Sequence, residues 1–136
     1  MSRDPITCHV LNTLTGTPAA GLQCTLSVLS PENTALHTFE ATTNADGRIT
    51  HWQATSGSTT VASYLASLPS PDSQSVWAIR FAVGTWYASQ GVESFWPEIE
   101  IKFTVKGQGV EGQGEWRHYH VPVLLGPWSY STYRGS

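Results

Sequence analysis

The chain has 136 residues, and 40% of them are apolar, which is enough for one domain with an ordinary hydrophobic core. Charged residues make up only 12% of the chain and aromatic residues 11%, whereas roughly 25% of the residues of soluble domains are charged. Such a chain either exposes apolar surface or covers it with a partner, so we expect self-association. The net charge of −3, without any cluster of Lys or Arg, argues against nucleic acids and anionic membranes as partners.

Neither membrane nor export signals are visible in the sequence. No run of about 18 apolar residues could span a bilayer, and no apolar run follows the N-terminal residues as in a secretory signal. We therefore expect a cytoplasmic protein, with a peroxisomal location as the alternative. Cys8 and Cys24 are too few for a disulfide scaffold and lack the C-x-x-C spacing of redox or zinc sites, so we interpret them as small buried residues. The sequence does not show whether Cys8 and Cys24 lie close enough to form a disulfide.

Alternation of apolar and polar residues with a period of two is the dominant pattern, and it predicts strands with one buried face. The Asp46-Gly47 pair interrupts this pattern with a tight turn, because glycine supplies the positive φ that such turns need. Eight strands are predicted in chain order, over residues 6–11, 22–28, 36–43, 48–52, 76–84, 99–105, 116–125 and 128–133.

Helical patterns are short and few. Residues 54–75 form a variable segment rich in Ser, Thr and Pro, in which the apolar residues from Val61 to Leu68 fit either a short helix or a surface loop. Residues 85–90, followed by a glycine, predict one or two helical turns. Eight strands with one short helix predict a single domain over residues 1–136, folded as an all-β antiparallel sandwich.

A glycine-rich segment imitates a dinucleotide-binding motif. Residues 107–112 spell G-x-G-x-x-G after a strand, but the residues that follow alternate like a further strand and do not begin a helix. Without a βαβ unit there is no dinucleotide site. We interpret residues 106–115 as a glycine-rich hairpin loop and expect no cofactor.

The phase of each strand places three histidines away from the core. His9 alternates with apolar neighbours, and His118 and His120 share the outer face of their strand with Leu124. A His-x-His pair can bind zinc, but no third ligand is evident, so we expect no metal. Leu11 and Leu124 are unusual on a solvent-exposed face, and this predicts an interface there. Taken alone, Arg48 is best interpreted as a solvated charge at a turn.

The last ten residues are aromatic and rich in hydroxyl groups, whereas most chain ends are polar and frayed. We therefore expect a docked tail. Ser131 and Tyr133 fall on one face of it, and Arg134 and the terminal carboxylate bring both signs of charge.

Six blocks of sequence, spread along the whole chain, together form a recognisable pattern. They are CHVLNT at 8–13, GTPA at 16–19, TNADGR at 43–48, FWPE at 95–98, HYHVP at 118–122 and YRGS at 133–136. These blocks resemble those of the 5-hydroxyisourate hydrolases, the enzyme branch of the transthyretin-like family, and the resemblance extends from residue 6 to residue 136. The terminal block is the most specific, since it separates the hydrolases from the hormone-carrying transthyretins of the same fold.

The resemblance implies a transthyretin-like (prealbumin-like) sandwich that forms a homotetramer, a dimer of dimers with active sites in a central channel. It implies catalytic roles for His9, Arg48 and His120, whereas His118 matches a more variable position and is left out. The residues implied in substrate binding are Ser131, Tyr133, Arg134, Gly135 and Ser136.

The reaction implied by the resemblance is hydrolysis of 5-hydroxyisourate in urate breakdown, which gives 2-oxo-4-hydroxy-4-carboxy-5-ureidoimidazoline. Our hypothesis is that His9 and His120 position and deprotonate the attacking water, while Arg48 keeps them neutral and binds substrate oxygens. Two alternatives are a transthyretin-type carrier of small molecules without catalysis and a β-sandwich interaction module.

Overall fold

Two five-stranded sheets pack face to face in the structure, a computed structural model that describes residues 3–114 and 116–136. These residues form ten strands, of which four have three residues or fewer, and two short helices. In chain order the elements are β1 (Ile6–Asn12), β2 (Thr17–Pro18), β3 (Gln23–Leu29), β4 (Ala35–Thr42), β5 (Arg48–Ile49), β6 (Gln53–Ala54), α1 (Val61–Ala66), β7 (Gln74–Phe81), α2 (Val83–Ala88), β8 (Ile99–Lys106), β9 (Tyr119–Leu125) and β10 (Tyr130–Thr132).

The first sheet has the strand order β10-β9-β1-β2, with β5 also paired to β1. The second sheet has the order β6-β4-β3-β7-β8. This arrangement confirms the predicted all-β sandwich. In one detail it differs from the expectation, because β1 and β9 run parallel, from Ile6 opposite Tyr119 to Asn12 opposite Leu125. Alternation within a strand encodes its buried face but not the direction of its neighbour, so this pair could not be recognised from the pattern.

The core lies between the two sheets and follows the predicted alternation. On β1, Ile6, Cys8 and Val10 are fully buried, and β3 and β7 contribute their apolar positions from the facing sheet. Cys8 and Cys24 are both buried free thiols. A hydrogen bond with Cys8, reinforced by burial, raises the pKa of the Cys24 thiol, so the two sulfurs are neighbours across the core.

Two segments differ from the sequence expectations, and a third decides between two open alternatives. The segment 54–75 contains α1, whose start is stabilised by reciprocal hydrogen bonds between Thr60 and Ser63, so the helical alternative is the one observed. The loop after β8 is not a hairpin, because β8 and β9 belong to different sheets; its residue 115 lies outside the described residues. The strand expected over 48–52 is only two residues long. None of the described helices is long and apolar enough to cross a membrane.

Candidate functional site

Strand register brings the ionisable residues of the first sheet together on its outer face. Thr7 lies opposite His120 in the parallel β1–β9 pair. On the other side of β1, His9 lies opposite Arg48 of β5. Since residues that are paired or two apart on one face are close enough to interact, these four side chains form one polar cluster.

A cavity of about 170 Å³ is lined by three members of this cluster, Thr7, Arg48 and His120. Its wall includes two arginines, Arg3 from the segment before β1 and Arg48 from β5. Two cations beside a histidine create a site suited to oxyanions or to an anionic ligand. The full lining is Arg3, Thr7, Cys8, Arg48, Thr50, His120 and Ser136.

A buried hydroxyl connects two histidines. Thr7 has only 3% of its surface exposed, and its Oγ1 lies 2.8 Å from Nε2 of His118. The same oxygen lies 2.8 Å from Nδ1 of His120. Both distances are those of good hydrogen bonds, so the three side chains form a continuous chain.

Both histidines that bond to Thr7 are kept in their neutral form. Burial, followed by the charges of Arg48, His9 and Arg3, lowers the pKa of His120 from 6.5. Burial, followed by Arg3, His120 and Arg134, lowers the pKa of His118 to about 4. At neutral pH each imidazole therefore has a lone pair available. Because the folded protein binds fewer protons at His118 than the unfolded protein does, the free energy of unfolding depends on pH. The part of this free energy that comes from His118 is fully present above pH 6.5 and is lost as the pH falls toward 4.

The turn before β5 fixes the position of Arg48. Oδ1 of Asn44 accepts hydrogen bonds from the backbone N–H of Asp46, at 2.9 Å, and of Arg48, at 3.0 Å. Gly47 has a φ of 75° and lies so close to the carbonyl oxygen of Val10 that a Cβ would collide with it. The Asn-x-x-Gly sequence therefore sets the point at which the chain joins β1.

The C-terminal tail packs directly onto His120. The backbone N–H of Gly135 donates to the carbonyl oxygen of His120 at 2.9 Å. The guanidinium of Arg134 lies 4.1 Å from the centre of the Tyr119 ring, and its Nη1 donates to the carbonyl oxygen of His118 at 2.8 Å. The tail is therefore docked, and Ser136 reaches the cavity wall.

Within one chain the sequence-predicted residues fall into two groups. Arg48, His120 and Ser136 line the cavity, Gly135 packs on His120, and His9 faces Arg48. The other three predicted substrate-binding residues lie elsewhere. Ser131 is paired with Leu124 further along the sheet. Tyr133 and Arg134 line a second groove of about 360 Å³ between β8, β9 and the tail, which shares only His120 with the cavity.

Sequence reasoning missed Arg3, Thr7, Thr50 and His118. Thr7 has the same phase on β1 as His9, which was an available signal, but a threonine on the outer face of a strand is usually solvated. His118 had been placed on the correct face and left out for its variability. Among residues 3–114 and 116–136, no group of three or more His, Cys, Asp or Glu side chains is arranged to hold a metal ion.

The fold and the site together define a transthyretin-type sandwich with an ionisable outer face. A family model described as the HIUase/Transthyretin family matches residues 6–135, and this chain belongs to that family. A probable 5-hydroxyisourate hydrolase of Schizosaccharomyces pombe is 40% identical over 134 residues, which cover 96% of this chain and 90% of that protein.

Two solved structures are similar over nearly their whole length. The 5-hydroxyisourate hydrolase of Klebsiella pneumoniae has a TM-score of 0.65 and 30% identity, and the match covers 96% of this chain and 98% of that one. Transthyretin from Sparus aurata has a TM-score of 0.71 and 24% identity, with 96% of each chain covered. The second match supports the fold alone.

Proposed function

We propose that the protein is a hydrolase of 5-hydroxyisourate, which it opens to 2-oxo-4-hydroxy-4-carboxy-5-ureidoimidazoline. The observation that carries the proposal is the cavity in which a neutral His120 lies beside Arg48 and Arg3. A base that is unprotonated at neutral pH next to donors for an oxyanion is what hydrolysis of an amide requires. The relatives named above as 5-hydroxyisourate hydrolases support the same substrate.

In the proposed reaction, His120 accepts a proton from water as the water oxygen attacks a ring amide carbonyl. Arg48 and Arg3 stabilise the negative oxygen that develops on that carbonyl. The C–N bond then breaks, and the departing nitrogen takes the proton from His120, so the base returns to its neutral form. His9 of β1, which lies opposite Arg48 of β5, orients the water or the substrate. No covalent intermediate is required.

We further propose that the active unit is a homotetramer, a dimer of dimers. The outer face of the first sheet leaves Leu124 41% exposed beside the ionisable cluster, and both β10 and β8 lie at sheet edges. In the assembly, Ser131 and the tail residues Tyr133 and Arg134 bind substrate from positions that a single chain does not bring to the cavity.

A carrier without catalysis is the alternative function. The histidine and arginine side chains of the cavity are poorly suited to an apolar ligand, whose binding sites are mainly hydrophobic. The hydrolase proposal is therefore better supported by the chemistry of the walls.

The direct test follows the ultraviolet absorbance of freshly generated 5-hydroxyisourate with and without the protein. We expect decay well above the spontaneous rate, and we expect His120→Gln to reduce kcat by about 100-fold or more, as for loss of a general base. His37→Gln, at an exposed position of the second sheet, is the matched control and keeps wild-type turnover. Decay at the spontaneous rate, or unaltered kcat in His120→Gln, would overturn the proposal.

A further inference from the structure

We propose that Thr7 is a positioning residue, which together with His118 fixes the His120 imidazole with its proton on Nδ1 and its lone pair on Nε2, facing the cavity. The catalytic part of this inference rests on the proposed hydrolase function. The geometric part rests on the two hydrogen bonds of 2.8 Å that meet at Oγ1 of Thr7.

The position of the proton on His120 depends on whether the Thr7 hydroxyl accepts from this ring or donates to it. A threonine hydroxyl has one hydrogen to donate and two lone pairs, and each neutral imidazole has one N–H and one lone pair. In the first direction the hydroxyl accepts from Nδ1–H of His120, while it either donates to Nε2 of His118 or accepts from that ring as well. In the opposite direction it donates to Nδ1 of His120, and the proton of that ring then lies on Nε2.

The surroundings of His120 select the first direction. Arg48 and Arg3 line the same cavity as His120, and a guanidinium has only donors. A lone pair on Nε2 is attracted by these cations, whereas an N–H there would point its positive end toward them. Because Nδ1 is already committed to Thr7, Nε2 is the nitrogen available to a ligand in the cavity.

The same hydrogen bonds also stabilise the protonated form of His120. When Nε2 takes a proton, the imidazolium donates its Nδ1–H to Thr7, and the hydroxyl passes its own hydrogen bond on to His118. Hydrogen bonds from a charged donor are stronger than neutral ones. No proton leaves His120 along these hydrogen bonds, because burial and then the nearby positive charges disfavour a cationic His118.

His118 determines the pH range of this arrangement. The charged and titratable groups that surround the two rings are His9 on β1, Arg48 on β5, Arg3 before β1 and Arg134 in the tail. A protonated His118 would donate from Nε2 to Thr7 and leave the hydroxyl hydrogen free to bond to Nδ1 of His120, which would allow the proton of His120 to move to Nε2. Its pKa of about 4 avoids this at neutral pH.

The first experiment compares steady-state kinetics of Thr7→Val with those of the conservative Thr7→Ser. We expect Thr7→Val to lower kcat by about 10- to 100-fold, as for loss of a hydrogen bond to a charged group, with KM nearly unchanged, and Thr7→Ser to restore activity. Thr38→Val removes a half-buried hydroxyl of the second sheet, bonded to Ser27, and controls for a general loss of packing.

The pH dependence of kcat distinguishes the loss of the Thr7 hydrogen bond to His120 from a general loosening of the site. Without its acceptor on Nδ1, the imidazolium of His120 is less stable, so the acid limb of kcat moves to lower pH in Thr7→Val. A loosened site would admit water and relieve the burial that lowers this pKa, which moves the acid limb to higher pH. A shift to higher pH, or equal kcat for Thr7→Val and wild type, would overturn the proposal.

Long-range ¹H–¹⁵N NMR of the histidine rings tests the tautomer without any substrate. We expect wild-type His120 at pH 7.5 to have its proton on Nδ1, and Thr7→Val to shift it toward the Nε2–H form that free imidazole side chains prefer. An Nε2–H tautomer in the wild type contradicts the inference. If the tautomer is as expected and the protein has no activity on 5-hydroxyisourate, the proposed function fails and the inference about Thr7 stands.

Discussion

Gly135 lies against the ring of His120 with no space for a side chain between them. A Cβ at this position would lie 2.9 Å from Cδ2 of His120 and 3.0 Å from both the carbonyl oxygen of His120 and Cγ of Pro122. Backbone and proline atoms cannot move aside as the end of a flexible side chain can. The terminal Tyr-Arg-Gly-Ser block is therefore constrained by the orientation of the imidazole as well as by any contact with substrate.

We expect Gly135→Ala to lower kcat by about 10-fold or more, since displacement of a catalytic group by about 1 Å has effects of this size or greater. Steady-state kinetics and thermal unfolding check this together. Gly16→Ala is the control, because that turn glycine has a φ of 73° and no atom within 4 Å of a Cβ; it strains the backbone and leaves kcat unchanged. Equal kcat in both variants would show that the tail does not orient His120.

At the scale of single residues, strand phase was sufficient to place His9, His118 and His120 on the outer face. The roles of Arg48 and of the tail came from the resemblance to the hydrolases and not from residue patterns. Thr7 could not be assigned, because its bonds to the two histidines exist only when β1 and β9 are parallel and in one particular register. That register is a property of the whole sheet.

The turn between β4 and β5 shows what an element contributes to the site. Oδ1 of Asn44 closes this turn by accepting two hydrogen bonds from backbone N–H groups, and the chain then passes from the second sheet to the first. The sequence predicted the turn at Asp46-Gly47 correctly, because asparagine and glycine have specific local functions there. It did not indicate that the short strand would pair with β1, since a two-residue strand carries almost no pattern.

We expect Asn44→Ala to weaken the placement of Arg48. Loss of the turn hydrogen bonds lowers the free energy of unfolding by about 1 kcal/mol, and a less fixed guanidinium raises KM for the substrate. Chemical denaturation and steady-state kinetics measure the two effects. Asn33→Ala, at a turn of the second sheet with a φ of 68°, is the comparison and changes stability only. An unaltered KM in Asn44→Ala would mean that β1 alone positions Arg48.

Among the longer elements, the alternating pattern predicted β1, β3, β4 and β8 to within one residue at each end. For β7 the pattern predicted a start two residues too late and an end three residues too late, because the apolar alternation continues into the residues that begin α2. The error over 106–115 arose because short loops after strands usually form hairpins, and the sequence does not state to which sheet the next strand belongs. The sequence does not distinguish the helix α1 from a loop, since six residues with two buried positions give little periodic signal against a background of Ser and Thr.

For the whole molecule, scarcity of charge suggested a second covered surface, and the outer face of the first sheet is its candidate. We expect the 14.8-kDa chain to have four times this mass in sedimentation equilibrium. Leu124→Glu places a charge on that face, so we expect it to dissociate the assembly and abolish activity while the sandwich remains folded. Val76→Glu, with the same exposed fraction of 41% on the second sheet, retains both assembly and activity. Dissociation by both variants, or by neither, would contradict this assignment of the interface.

The parallel pairing of β1 with β9 also has a consequence for folding. The second sheet is formed entirely by residues 23–106, so its strands can pair while the rest of the chain is still being synthesised. Thr7 and His118, in contrast, are 111 positions apart, and closing such a separation is slow. The parallel pairing of β1 must therefore wait for β9, and the cavity that Thr7 and His120 line forms only after β9 has been synthesised.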